Sequence, residues 1–219
     1  MAEVEWRDGA VPVSMRFDDP YFSLENGMAE TGHVFLDGND LPARFCDGFH
    51  VAELGFGTGL NLLATWKMFN DCGVAGRLRF TSFEAFPMDR ADAEAALAAF
   101  PTLSDLADVL LDAWSQDSFD IETPSLHAQI VVGDANVTVP KMQAPADAWF
   151  LDGFSPAKNP ELWGPELMQA VGVQTKTGGT FATYTAAGHV RRALGEAGFE
   201  VCRVPGFGRK RHMSVGVKR

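Results

Sequence analysis

The sequence predicts an α/β protein, with one mostly parallel sheet and helices on both of its faces. Three observations carry this. The 219 residues, 46% hydrophobic and 21% charged, suit one domain with one large core. From residue 49 onward, short apolar runs alternate with amphipathic stretches, and such alternation builds βαβ units. A glycine-rich turn lies between the first run and the first amphipathic stretch, where a strand must hand over to a helix.

The first 45 residues differ from the rest. Residues 13–17 and 33–36 read as short β segments among turn residues such as Asp18-Asp19-Pro20, Glu25-Asn26-Gly27 and Asp37-Gly38-Asn39-Asp40. They predict a β-rich N-terminal extension over 1–45, ahead of a main domain over 46–219. In that domain seven strands are expected, at 49–54, 78–83, 128–132, 148–151, 180–184, 200–204 and 213–217. Helices are expected at 60–69, 88–100, 103–114, 161–173 and 189–197. Pro101 stops the second and Gly198 closes the last. The last two strands, joined through Gly206-Phe207-Gly208, form an antiparallel hairpin at or near the sheet edge. Ligands of such sheets bind beyond the carboxyl ends of the strands, near the switch point.

Composition narrows the functional classes. The net charge of −11 argues against nonspecific nucleic-acid binding. Yet Arg203, Arg209, Lys210, Arg211, Lys218 and Arg219 crowd the last stretch with no acid among them, either as a phosphate-binding patch or as a solvated surface. No apolar run reaches the ~20 residues of a membrane span, and the acidic N-terminus lacks signal-peptide order. A soluble cytoplasmic protein is expected. Cys46, Cys72 and Cys202 form no CxxC pair, the histidines are scattered, and no metal site is expected. No G-x-S-x-G elbow is present, and the tryptophans at 66, 114, 149 and 163 fit core packing.

Four segments carry chemistry, each at a predicted strand end. The first is Glu53-Leu54-Gly55-Phe56-Gly57-Thr58-Gly59. Its third glycine comes one residue too early for a dinucleotide fingerprint, and no Lys-Ser/Thr follows as in a P-loop. The loop resembles that of methyltransferases, where it passes the amino-acid end of S-adenosylmethionine and a carboxylate like Glu53 contacts the amine region. Glu84 ends the next strand, where an acid can accept both ribose hydroxyls. In Gly133-Asp134-Ala135-Asn136, Asp134 either takes the adenine amino group, as in methyltransferases, or caps the following helical turn. Asp152 ends the fourth strand, pointing to where a reactive methyl would lie. Asp152-Gly153-Phe154-Ser155-Pro156 loosely resembles the loop with which amino-methylating enzymes orient an amine. Methyl transfer is in-line displacement at a sulfonium, so positioning does most of the work, and a carboxylate there also relieves an alkylammonium of its proton.

Together these residues resemble the methyltransferase domain of the bacterial bifunctional tRNA 5-methylaminomethyl-2-thiouridine biosynthesis (MnmC) family. The matching pieces are Arg16 to Asp19, Tyr21 to Ser23, Glu25 to Gly27, His33 to Leu36, Glu53 to Asn61, Ser82 to Glu84, Ala148 to Pro160, Gly178 to Thr180, Val190 to Arg192, Ala197 to Phe199 and Gly206 to Arg211. The resemblance implies a Rossmann-like class I methyltransferase fold and S-adenosyl-L-methionine held by Glu53, Gly55, Phe56, Gly57, Thr58, Gly59, Asn61, Glu84, Asp134, Ala135 and Asp152. It implies Asp152 as the catalytic group. It further implies tRNA, through its anticodon region, as the partner, with the wobble 5-aminomethyluridine methylated near Tyr21, Asn26, Phe154, Pro156, Lys158, Arg209, Lys210 and Arg211. Family proteins continue into a flavin-dependent oxidase domain, so a separate oxidase domain or enzyme is expected to supply the amine. Two rivals stand beside this reading: a methyltransferase of small-molecule amines, and a non-catalytic cofactor-binding or docking module.

Overall fold

The computed structural model describes residues 2–7, 11–22 and 26–219. Ser23 and Glu25, two of the resemblance positions, lie outside the described residues. Eight strands form the main sheet, in the order β10-β11-β9-β8-β4-β5-β7-β6. These are β4 (His50–Leu54), β5 (Leu78–Glu84), β6 (Phe119–Glu122), β7 (Leu126–Val132), β8 (Ala146–Leu151), β9 (Thr175–Thr183), β10 (Phe199–Pro205) and β11 (His212–Lys218). The five central strands run parallel, while β6 pairs antiparallel with β7, and β11 pairs antiparallel with both β9 and β10. The sheet thus has one strand more than the seven expected. The extra strand is β6, an edge strand whose Phe-Asp-Ile-Glu pattern buries one side chain fully. So short a run carries too little apolar periodicity to read as a strand.

Period-2 alternation sorts the central side chains between two cores. Val51, Ala148 and Phe150 pack on one face with residues of α2 (Leu60–Asp71), α3 (Arg90–Leu97) and α4 (Ser104–Ala113). Ala52, Leu54, Trp149 and Leu151 pack on the other with α5 (Ala135–Thr138), α6 (Pro165–Val173) and α7 (Gly188–Glu196). Trp66, Trp149 and Trp163 are buried, as core packing requires. Among the described residues no helix is long and apolar enough to cross a membrane.

The N-terminal region is only partly β. A small sheet joins β1 (Val4–Arg7), β2 (Val11–Ser14) and β3 (Asp19–Pro20), placing the strand earlier than the expected 13–17. Residues 33–36 are not a strand. They lie in a helical stretch that follows α1 (Gly27–Thr31) and runs through Gly32–Leu36. Val34, Phe35 and Leu36 are consecutive and all buried, and a short unbroken apolar run does not distinguish strand from helix. Phe35, Leu41 and Phe45 share one hydrophobic cluster with Phe49 and Val51, so the apolar core runs across residue 45.

Candidate active site

The chain runs outward from β4 through β5 to β7, then returns to the other side of β4 with β8 and β9. The ends of β4 and β8 therefore lie side by side at a switch point, with Leu54 opposite Leu151. The next residues of each strand meet: a Cβ added to Gly55 would lie 2.9 Å from Gly153 Cα. A side chain at Gly55 would block this approach, one at Gly153 would instead strike Leu162, and both glycines have positive φ, +82° and +104°.

A cavity of about 590 Å³ opens above this junction. That is ample for a nucleoside-sized ligand. Of the residues expected at the site, Gly55, Phe56, Gly57, Thr58, Asn61, Glu84, Asp134, Ala135, Asp152, Tyr21, Phe154, Arg209 and Lys210 line it. Glu53, Gly59, Asn26, Pro156, Lys158 and Arg211 are not among its lining residues, and four of these six have other work. Gly59 starts α2 in the left-handed region, and an added Cβ would strike Leu110 at 2.6 Å. Asn26 caps α1, accepting from Ala29 N at 3.0 Å. Lys158 is bonded to the Asp18 carbonyl and lies 3.5 Å from the Asp19 carboxylate, tying the 152–160 loop to the N-terminal region.

Glu53 is wholly buried. It accepts from Ser82 Oγ at 2.6 Å and from Asn61 Nδ2 at 2.9 Å. Burial pushes its carboxyl well above the usual range despite those two donors. Its reach into the cavity runs through Asn61, whose Nδ2 also donates to Asp152 Oδ2 at 2.8 Å and whose Oδ1 accepts from Thr31 Oγ1 at 2.7 Å. Asp152 Oδ1 accepts from its neighbour Gly153 N at 2.8 Å. Burial raises Asp152 to about 7, with Asn61 and Gly153 N pulling the other way. A carboxyl poised there exchanges a proton readily at neutral pH.

Glu84, half-buried at the end of β5, uses both oxygens. Oε2 accepts from Gly57 N at 3.0 Å and Oε1 from Phe86 N at 2.8 Å. It thereby pins the glycine loop to its own strand end and still has lone pairs for a diol. Asp134 caps α5 by accepting from Asn136 N at 2.9 Å, so the capping alternative is realised while the residue also borders the cavity. Between these acids the wall is apolar, with Phe83, Ala85 and Ala135. The lining thus pairs acids able to accept hydroxyl or amine hydrogens with apolar surface able to face a ring. Among the described residues no group of three or more His, Cys, Asp or Glu could hold a metal ion.

Sequence reasoning missed Glu30, Thr31 and Tyr184, which also line the cavity. Tyr184 donates to the Gly153 carbonyl at 2.8 Å. Lys210 Nζ lies 2.9 Å from Glu30 Oε1 and 4.0 Å from the centre of the Tyr184 ring. These residues come from separate elements, and no local spacing announces their meeting.

Residues 101–219, more than half of the chain, match the family model described as S-adenosyl-L-methionine-dependent methyltransferase. The "tRNA 5-methylaminomethyl-2-thiouridine biosynthesis bifunctional protein MnmC" of Chromohalobacter salexigens is 44% identical over 98% of this chain and 32% of its own length. The protein of the same name from Pseudomonas savastanoi pv. phaseolicola is also 44% identical, over 95% of this chain and 33% of its own. The chain thus spans about a third of the length of these curated relatives. The crystal structure of MNMC2 from Aquifex aeolicus has the same fold, with a TM-score of 0.77 at 24% identity over 99% of this chain and 70% of that one. With the cofactor-sized cavity at its strand ends, the chain belongs to the S-adenosyl-L-methionine-dependent methyltransferase family.

Proposed function

We propose that this chain transfers a methyl group to the primary amine of an aminomethyl group on the wobble uridine of tRNA, giving methylaminomethyluridine. The observation that carries it is the position of Asp152: a carboxyl raised to about 7, braced by Asn61, facing the same cavity as the glycine loop. The basic residues Arg209 and Lys210 at that cavity suit an RNA acceptor, as do the names of the curated relatives.

In this reading Glu84 accepts the ribose hydroxyls, Asp134 and Ala135 border the adenine, and the backbone of Gly55, Gly57 and Thr58 faces the amino-acid end. Glu53 serves that end through Asn61. The bound S-adenosyl-L-methionine supplies an electrophilic methyl on a sulfonium. Asp152, as its carboxylate, takes a proton from the acceptor ammonium, and the neutral carboxyl then holds the amine with its freed lone pair turned away from Asp152. With that cofactor bound, the freed amine would take its methyl group, and the S–CH3 electron pair would stay with sulfur. Phe154 and Tyr21, at 5.1 Å edge to face, offer an aromatic wall for the base. The aminomethyl group itself comes from a separate oxidase activity that removes a carboxymethyl substituent from an amine nitrogen already present in the precursor, and the tRNA substrate makes the cytoplasm its place of work.

Labelled methyl transfer to bulk tRNA lacking this modification, followed by nucleoside analysis, tests the reading. Label in methylaminomethyluridine is expected, with binding that falls steeply as salt rises. Label in another nucleoside, or none with tRNA while a small amine is methylated, overturns it.

A further inference from the structure

Lysine ends in a CH2–NH3+ group, and so does an aminomethyl group on a pyrimidine ring. The structure already holds one such terminus in the cavity that Asp152 lines. Lys210, on the turn between β10 and β11, reaches back over the cavity to α1 and the end of β9. Its ammonium lies 2.9 Å from Glu30 Oε1 and 4.0 Å from the centre of the Tyr184 ring. The Glu30 side chain is 17% exposed, so its charge is poorly screened. The ring is fixed in place by the hydrogen bond from Tyr184 Oη to the Gly153 carbonyl, one residue from Asp152. A carboxylate on one side and an aromatic face on another are what a compact ammonium seeks when it leaves water.

His33 ties the Lys210 turn to the body at its margin. His33 contacts the Pro205 carbonyl at 3.2 Å and the Phe207 ring at 6.0 Å. Arg209, Lys210 and Arg211 are exposed on it. The lysine is thus a tethered cation seated in a site whose walls belong to other elements.

We propose that Glu30 and the face of Tyr184 form the subsite for the primary ammonium of the acceptor, and that Lys210 occupies it as an internal stand-in until the acceptor enters. The inference rests on the amine reading of the active site and adds to it. Asp152 then receives the proton of an ammonium already held by Glu30 and Tyr184, while the released Lys210 is free to meet an RNA phosphate.

Benzylammonium, a ring-borne aminomethyl cation, is the probe, with benzyl alcohol as its uncharged control, both titrated by calorimetry. Lys210→Met is expected to bind benzylammonium about tenfold tighter than the wild type, because its site is vacated, with no like gain for benzyl alcohol. Adding Glu30→Gln to Lys210→Met removes that gain. Tyr184→Leu added instead lowers it, whereas Tyr184→Phe, which keeps the ring, retains most of it. Cofactor affinity of each variant reports that the fold is intact, and where Glu30→Gln does not fold the tyrosine pair decides. No gain in Lys210→Met, an equal gain for the alcohol, or a gain indifferent to both Glu30 and Tyr184 overturns the proposal. The product made by the wild-type enzyme is a separate readout: a correct tRNA product without these probe effects removes the subsite alone, a methylated amine other than the tRNA nucleoside with these probe effects removes the tRNA reading alone, and methylation at a position that is not an amine overturns both.

Discussion

Asn61 donates a hydrogen bond to Asp152 at 2.8 Å through the same amide nitrogen that serves the buried Glu53 at 2.9 Å. One side chain at the start of α2 thus links the ends of β4 and β8. Its bond to Asp152 favours the charged carboxylate. Removing it in Asn61→Ala leaves Asp152 more reluctant to ionise, so the acidic limb of the kcat profile moves to higher pH. It also strips Glu53 of a donor, at a cost to stability of about 1–3 kcal/mol. A pH–rate profile beside thermal denaturation checks both, and an unmoved limb refutes the bracing role.

Asp152→Asn is expected to keep cofactor affinity while turnover falls by about tenfold or more, the usual scale for a positioned acid-base group. A thermodynamic signature accompanies it. The folded state holds the Asp152 proton up to about pH 7, against an ordinary 3.8. The stability this confers is complete below pH 3.8 and is lost as pH rises through 7. Wild type therefore loses stability relative to Asp152→Asn between pH 4 and pH 8. Parallel melting curves across that range are the result that contradicts it.

At Glu84 the expected loss is in binding. Glu84→Ala removes the acceptor proposed for the two ribose hydroxyls and also frees Gly57 N and Phe86 N. Charged hydrogen bonds of this kind are worth roughly 1.5–3 kcal/mol, so cofactor Kd rises about tenfold to a hundredfold. Calorimetry with S-adenosyl-L-methionine measures it, and an unchanged Kd removes Glu84 from the cofactor site.

Much of this was readable because strand ends and glycine spacing are local signals. The 49–54 run, the glycines at 55, 57 and 59 and the acid at 152 announce a strand-loop-helix and a neighbouring strand end. What they leave out is tertiary. Glu30 was hidden just ahead of a segment that reads as β, since the apolar run at 34–36 lacks a period that separates helix from strand. Tyr184 needed the pairing of β8 with β9 to bring it to Gly153. Glu53 looked like a ligand-facing acid by its place in the loop motif, yet its position within β4 turns it into the core. Its influence passes through Asn61 instead.

His50 gives a pH effect opposite in sign to that of Asp152. It is buried at the start of β4, with ring nitrogens 2.9 Å from Thr81 Oγ1 and 3.4 Å from the Pro145 carbonyl. Burial, aided by the nearby Arg79 charge, lowers it to about 4 from 6.5. The unfolded chain takes up its proton first as pH falls, so this residue's contribution is present above 6.5 and lost toward pH 4. The span corresponds to on the order of 3 kcal/mol. His50→Gln, whose amide also spans donor and acceptor, should lose less stability than wild type between pH 6.5 and pH 4. Urea denaturation at a series of pH values decides, and an identical slope rules the histidine out.

Two glycines with similar backbones separate strain from contact. Gly48 has φ +72° and open space where a Cβ would stand, so Gly48→Ala costs only the left-handed conformation, roughly 1–2 kcal/mol. Gly55 has φ +82°, and its added Cβ would lie 2.9 Å from Gly153 Cα and 3.0 Å from Gly153 N. Both obstacles are backbone, so relief requires the β4 and β8 ends to separate, and Asp152 moves with its neighbour. Gly55→Ala is therefore expected to lose cofactor binding and methyl transfer together, whereas Gly48→Ala lowers Tm and leaves both intact. Equal losses in the two variants, with activity following stability alone, refute the idea that close approach at the switch point aligns Asp152 with the loop.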